Sequence, residues 1–151
     1  MASFAEQFKA AAKRIADRAD RVAEQVVVGV GESLVDKSPV GDWASWSAAS
    51  QAARPMPPYV PGQFKGSWHH SFNSPSDDFT STVDATGDSS MREIRAGAAQ
   101  ESVSKHYITN NVGYAMLMER GWAHGTQPGG IVALTEIEFP QIVREANRRV
   151  V

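Results

Sequence analysis

The sequence contains no cysteine. Disulfides and thiolate metal sites are therefore excluded, and the chain is compatible with a reducing compartment. Long apolar runs are missing too: no stretch approaches the roughly 18 apolar residues that a membrane helix needs. Residues 1–20 carry charges throughout and have no apolar centre, so they read as neither signal peptide nor anchor. There is no excess of positive charge. With 15 Lys and Arg against 17 Asp and Glu, the net charge of −2 gives no general field to gather nucleic acid. Gly29-Val30-Gly31 lacks a third glycine and a preceding strand, which removes a dinucleotide motif. No serine lies on a nucleophile elbow, and no internal repeat is visible.

What is present is a chain of 151 residues, 42% apolar, which suits one globular domain over 1–151. Residues 3–36 read as a long helix. Phe4, Phe8, Ala11, Ile15, Ala19, Val22 and Val26 fall at steps of three and four on one stripe. Ser3 and Glu6 have the spacing of a capping box, and Asp17 and Arg21 that of a helical ion pair. The valine and glycine run 26–31 predicts a kink or early end near Gly29, with Pro39 as the latest stop. Such a helix is about 50 Å long. One end is expected to overhang the domain and meet a neighbour. Residues 39–63 form an ordered loop rich in proline and aromatics, among them Trp43, Trp46 and Tyr59.

Strand patterns follow. Phe64, Trp68, His70 and Phe72 alternate onto one face. Residues 74–90 are turn-rich and acidic, with Asp77, Asp78, Asp84 and Asp88 and no Lys or Arg; Phe79 and Val83 allow a short strand within them. Residues 91–97 and 105–109 are further short strands. A short helix is expected from Gly113 to Arg120, capped by Asn111 and stopped by Gly121. Residues 131–135 read as a last strand. A final helix then carries Phe139, Ile142, Val143 and Ala146 on one face, with Thr135 and Glu138 at its cap and Pro140 near its start. The whole predicts an α+β fold: N-terminal helix 1–38, loop 39–63, then 64–151 with a mostly antiparallel sheet, a short inserted helix and a C-terminal helix.

Reactive chemistry is thin. His69 and His70 are adjacent in a strand and point to opposite faces, while His106 and His124 lie elsewhere, so no metal site is expected. The segment DATGDSSM lacks the ligand alternation of a calcium loop. Glu119, beside Arg120 in an apolar stretch, is the one candidate catalytic carboxylate, which with a histidine would make a small hydrolase. The opposing reading is an acid at the wet end of a buried helix. The basic residues Lys9, Lys13, Arg14, Arg18 and Arg21 are interspersed with acids and form a solvated helix face. No cofactor is implied. Aromatic and apolar material on loops favours protein–protein contact instead.

The order of several segments is familiar. Ser38-Pro39-Val40-Gly41-Asp42 closes the first helix, and Tyr59-Val60-Pro61-Gly62-Gln63-Phe64-Lys65-Gly66-Ser67-Trp68 leads into a strand. Asn110-Asn111-Val112-Gly113-Tyr114-Ala115 then precedes Leu117-Met118-Glu119-Arg120-Gly121, and Pro128-Gly129-Gly130 precedes Val132-Ala133-Leu134-Thr135. From Ser38 to about Ala146 this series resembles the tail-completion, or head–tail joining, proteins of long-tailed bacteriophages. Arg120 stands where those proteins commonly have an aromatic residue. The resemblance implies a structural, non-enzymatic virion protein assembled in the host bacterial cytoplasm. It would form a ring of six copies around the DNA channel, between the tail tube or tail terminator protein and the head–tail connector. DNA would pass through without specific binding, and no membrane would be involved. Trp43, Trp46, Tyr59, Trp122 and His124 are then candidates for the subunit interface, although Trp122 can equally cover its own chain's core. Asp77, Asp78, Asp84 and Asp88 are candidates to face the channel, against a plain outer loop. A capsid-side adaptor or stopper is the alternative within the same class.

Overall fold

A computed structural model describes residues 2–42, 48, 60–79, 82–100, 105–120 and 129–150. The first helix, α1 (Phe4–Lys37), begins at the expected capping box: the Glu6 amide donates to Ser3 Oγ at 3.3 Å and the Ser3 amide to Glu6 Oε2 at 2.6 Å. It ends at Ser38, whose extended backbone precedes Pro39. Asp17 pairs with Lys13 at 2.8 Å, the mirror of the expected Arg21 partner.

The expected break at Gly29 does not occur, for a reason that lies in packing. A Cβ on Gly29 would stand 2.7 Å from Ile142 Cγ2, and one on Gly31 would stand 2.7 Å from Ile94 Cγ2. The two glycines therefore mark where two other helices cross α1 at close range. Each costs about 1 kcal/mol in helix propensity. The close approach offsets that cost by letting β-branched side chains sit directly on the α1 backbone.

The helix that meets Gly31 is α3 (Asp88–Ala98), following the single turn α2 (Gln63–Gly66) and strand β1 (Trp68–Phe72). Residues 91–97 are thus helical, not a strand. Their buried positions, Ser90, Met91, Ile94, Gly97 and Ala98, repeat at three and four. Phe64 belongs to α2, not to the strand. It still meets Trp68 edge-on at 5.6 Å, because one turn brings positions four apart together. Phe79 and Val83 form no strand and are exposed.

Strand β2 (His106–Asn110) pairs antiparallel with β1, in the register Trp68↔Asn110 through Phe72↔His106. This two-stranded ribbon is the sheet of the described residues, smaller than the sequence pattern implied. Helix α3 covers β1 and also occupies its outer edge. The Trp68 amide donates to Ser90 Oγ at 3.1 Å and the His70 amide to Glu93 Oε1 at 2.8 Å.

The short helix α4 (Ala115–Glu119) comes next, and then α5 (Ile131–Arg149). The segment 131–135, expected as a strand, is the first turn of α5. Ile131 and Thr135 are buried one turn apart, which is helical spacing. Pro140 consequently lies inside the helix and not near its start, on an exposed face. There the lost hydrogen bond to the carbonyl four residues back is open to water. Thr135 and Glu138 do not cap the helix. Thr135 Oγ1 lies 2.9 Å from Ser33 Oγ, and Lys37 Nζ donates to Glu138 Oε2 at 2.6 Å, which ties α5 to the end of α1. Asn111 is not a cap either; its side chain donates to the carbonyls of Ser76 and Asp78.

The core gathers Leu34, Val35, Phe64, Trp68, Ile94, Met118 and Ile131 from helices and ribbon together. Trp68 also donates its indole N–H to Ser38 Oγ at 2.8 Å, so the end of α1 is fastened to the first strand residue. The fold is α+β, with a long N-terminal helix, a C-terminal helix and a small antiparallel sheet.

Candidate assembly surface

Among the described residues, no helix or strand packs on the N-terminal half of α1. Burial in this helix starts at Val28 and continues at Gly31, Leu34 and Val35. Before it, Phe4 is 83% exposed, Phe8 67% and Ile15 71%. These are the residues of the apolar stripe, and Phe4 and Phe8 stack on each other at 6.4 Å. The expected overhang is present. A helix of about 50 Å outruns a globule of this chain length, which is roughly 40 Å across. On the arm, residues 2–21, Arg14, Arg18 and Arg21 follow one edge of the stripe at helical spacing. Glu6, Lys13, Asp17 and Asp20 lie on the far side.

Where the stripe reaches the body it runs into a groove. Val26 and Val30 of α1, Ile108 of β2, and Val132, Phe139 and Pro140 of α5 line a space of about 580 Å³. Val132 and Phe139 are exposed in it, and His106, Thr135 and Glu136 are its polar members. Of the acidic side chains on α1 and α5, Glu136 lines this groove, whereas Glu32 and Glu138 face another side of the crossing. A second recess of about 320 Å³, on another side of the α1–α5 crossing, is polar. Its Glu32 pairs with Arg95 and Arg149, each at 3.5 Å.

Glu119 has a definite task. Helix α5 starts at Gly130, which has no side chain to cap it. Glu119, at the end of α4, accepts the Ile131 and Val132 amides on Oε2 at 2.8 and 2.9 Å and the Ala133 amide on Oε1 at 3.0 Å. A carboxylate there satisfies three orphan donors and opposes the positive end of the helix dipole. Both oxygens are engaged with backbone, which leaves the hydrolase reading without a free carboxylate at this position.

The acidic segment divides. Asp77 and Asp78 are exposed in the connection after β1, and Asp88 is exposed in the first turn of α3. Asp84 is different: its carboxylate accepts the amides of Thr86, Gly87 and Ser89 and the Thr86 hydroxyl. The Ser89 amide, foremost, and the Thr86 hydroxyl hold this carboxyl far below the usual carboxylate range. Asp84 organises the start of α3 and is not a free acid.

His69 and His70 diverge as their positions in a strand require. His69 Nδ1 lies 3.3 Å from Glu93 Oε2, and His70 Nε2 lies 2.9 Å from His106 Nδ1 across the ribbon. Burial lowers the His70 pKa, neighbouring His106 lowers it further, and Glu93 opposes both. Among the described residues no cluster of His, Asp and Glu could hold a metal ion, and no helix is long and apolar enough to cross a membrane.

Trp43, Trp46, Tyr59, Trp122 and His124 lie outside the described residues. The structure instead brings forward Val132, Phe139 and Pro140, which the sequence pattern had placed in a strand, on one face of a helix and near that helix's start. Their signal was the period-four pair Ile131 and Thr135. Comparison with known protein families, with curated proteins and with solved structures found no match.

Proposed function

We propose that this chain is a structural virion protein that completes the head-proximal end of a phage tail, or joins tail to head, by assembling as a ring around the DNA channel. One observation supports the reading: apolar side chains stand exposed along the first helix and open into an apolar groove. An amphipathic arm with Phe4, Phe8 and Ile15 in solvent is a feature that a monomer has no use for. The segments that resemble tail-completion proteins also hold structural positions in this fold. One ends α1, one turns into β1, one contributes α4, and Gly129-Gly130 leads directly into α5. Head-to-tail contacts of one patch with another close into a ring when the rotation closes. The expected neighbours are the tail tube or terminator protein on one side and connector proteins on the other, with six copies as the resemblance implies. Asp77, Asp78 and Asp88 are exposed and are the candidates to line a channel and repel DNA, whereas the Asp84 carboxylate is bonded to the start of α3.

The test is negative-stain imaging of the purified protein, alone and mixed with tails. Rings with a central opening, seated at the head-proximal end of tails, are expected. A permanent monomer that never joins a tail refutes the reading. Changing Asp77, Asp78 and Asp88 together to Lys should slow genome release at low salt and restore it at high salt, since each phosphate contact is salt-dependent. Release unchanged at every salt concentration puts these residues outside the channel.

A further inference from the structure

We propose that the N-terminal arm of one copy seats in the α1–β2–α5 groove of the next, so that copies are joined by arm exchange. This deepens the ring reading and rests on it for closure; the contact itself stands on four observations. First, the arm and one wall of the groove belong to the same unbroken helix, Phe4–Lys37. A continuous helix cannot fold back on itself, so a chain's own arm cannot reach its own groove, and an arm that fills the groove comes from another molecule. Second, the sizes correspond. An apolar cavity of about 150 Å³ accepts one benzene-sized group. A groove of about 580 Å³ therefore has room for three or four, and the arm offers Phe4, Phe8 and Ile15.

Third, the charges are complementary. The stripe is edged by Arg14, Arg18 and Arg21, while the acid that lines the groove is Glu136. Opposite patches of this kind fix register and discourage wrong partners. Fourth, the same stripe continues from the arm into the groove wall through Val22, Val26 and Val30. An incoming arm would thus lie beside α1 of its host as helix on helix, with its apolar stripe against an apolar wall. Such a contact is heterologous. Each copy gives one arm and receives one, which permits a ring.

Two single variants and their mixture decide the matter. Phe8→Glu alters the arm and Val132→Glu the groove, both at solvent-exposed positions that leave the core intact. By sedimentation at about 100 µM, each variant alone should lose association at least about tenfold relative to the parent. Mixed in equal amounts, they should recover a species of two chains and nothing larger, because one intact arm still finds one intact groove. Circular dichroism on each variant should match the parent. If Val132→Glu associates normally while Phe8→Glu does not, arms pair with arms and the exchange is refuted. If both variants still form the parent's rings, the exchange is refuted while the ring reading stands. A parent that is monomeric at this concentration also refutes the exchange, and leaves the tail reading to the imaging test with tails.

Discussion

Replacing Glu119 by Ala should unseat the start of α5. Three amides, of Ile131, Val132 and Ala133, then lose their acceptor, at 2.8, 2.9 and 3.0 Å in the parent. Loss of an ordinary cap costs about 1 kcal/mol, and loss of a charge at the helix N-terminus adds about 0.3–1 kcal/mol. Hydrogen bonds to a charged group contribute about 1.5–3 kcal/mol each, but they share one side chain and water replaces part of them. The sum is about 2–4 kcal/mol, with the lower end favoured because Val132 is exposed to water. For a chain of this length that lowers Tm by roughly 5–12 °C. Glu119→Gln keeps one carbonyl acceptor and loses the charge, so its loss should be about half as large. Urea titration and thermal melts followed by circular dichroism measure both. A Glu119→Ala variant within about 0.5 kcal/mol of the parent would refute the capping role and return this carboxylate to the list of groups free for chemistry.

Trp68→Ala should cost about 3–5 kcal/mol, since the ring is buried against Phe64 and its N–H is bonded to Ser38; a loss under about 1 kcal/mol in urea titration would contradict its place in the core. Gly31→Ala should destabilise by about 1–2 kcal/mol despite the gain in helix propensity, because Ile94 is fully buried and cannot retreat. Gly29→Ala, facing half-buried Ile142, should cost less, and equal losses for the two in parallel melts would overturn the distinction. The His70 imidazole has a folded pKa below its ordinary value of 6.5, owing to burial, then His106, against Glu93. The unfolded chain therefore binds more protons, so stability is complete above about pH 6.5 and declines as pH falls through that value. His70→Asn should flatten the decline between about pH 6.5 and 5. An unchanged slope there would assign the effect to other groups.

The first helix was legible almost to the residue because its signals are local: a capping box at Ser3 and Glu6, a steady stripe, and a proline beyond its end. The glycines were misread because local propensity carries no information about Ile94 and Ile142, which lie far away in sequence and make the close approach worthwhile. Two segments, 91–97 and 131–135, are short and apolar enough to satisfy a strand pattern, and only burial at Ile94 and Ile131 reveals the helical period. The role of Glu119 was invisible for a different reason. Its partners are backbone amides, 12 to 14 residues downstream, whose need for an acceptor follows from Gly130 being unable to supply one. The exposed arm could be foreseen from helix length alone. The groove could not, because it exists only when α1, β2 and α5 come together.

The outer edge of β1 has a consequence for crowded assemblies. A bare strand edge is a template on which another chain's strand can add, and repeated addition leads to fibres. Here that template is already spent. Ser90 and Glu93, one helical turn apart, take the amides of Trp68 and His70 at the two-residue rhythm that an added strand would have matched. A neighbouring copy pressed against this edge finds side chains and no unmet backbone donors at those two positions. Sheet growth through β1 would first have to displace a carboxylate and a hydroxyl from their bonds. Copies packed at high local concentration can therefore separate and reorient at this edge without becoming locked together by a spreading backbone ladder.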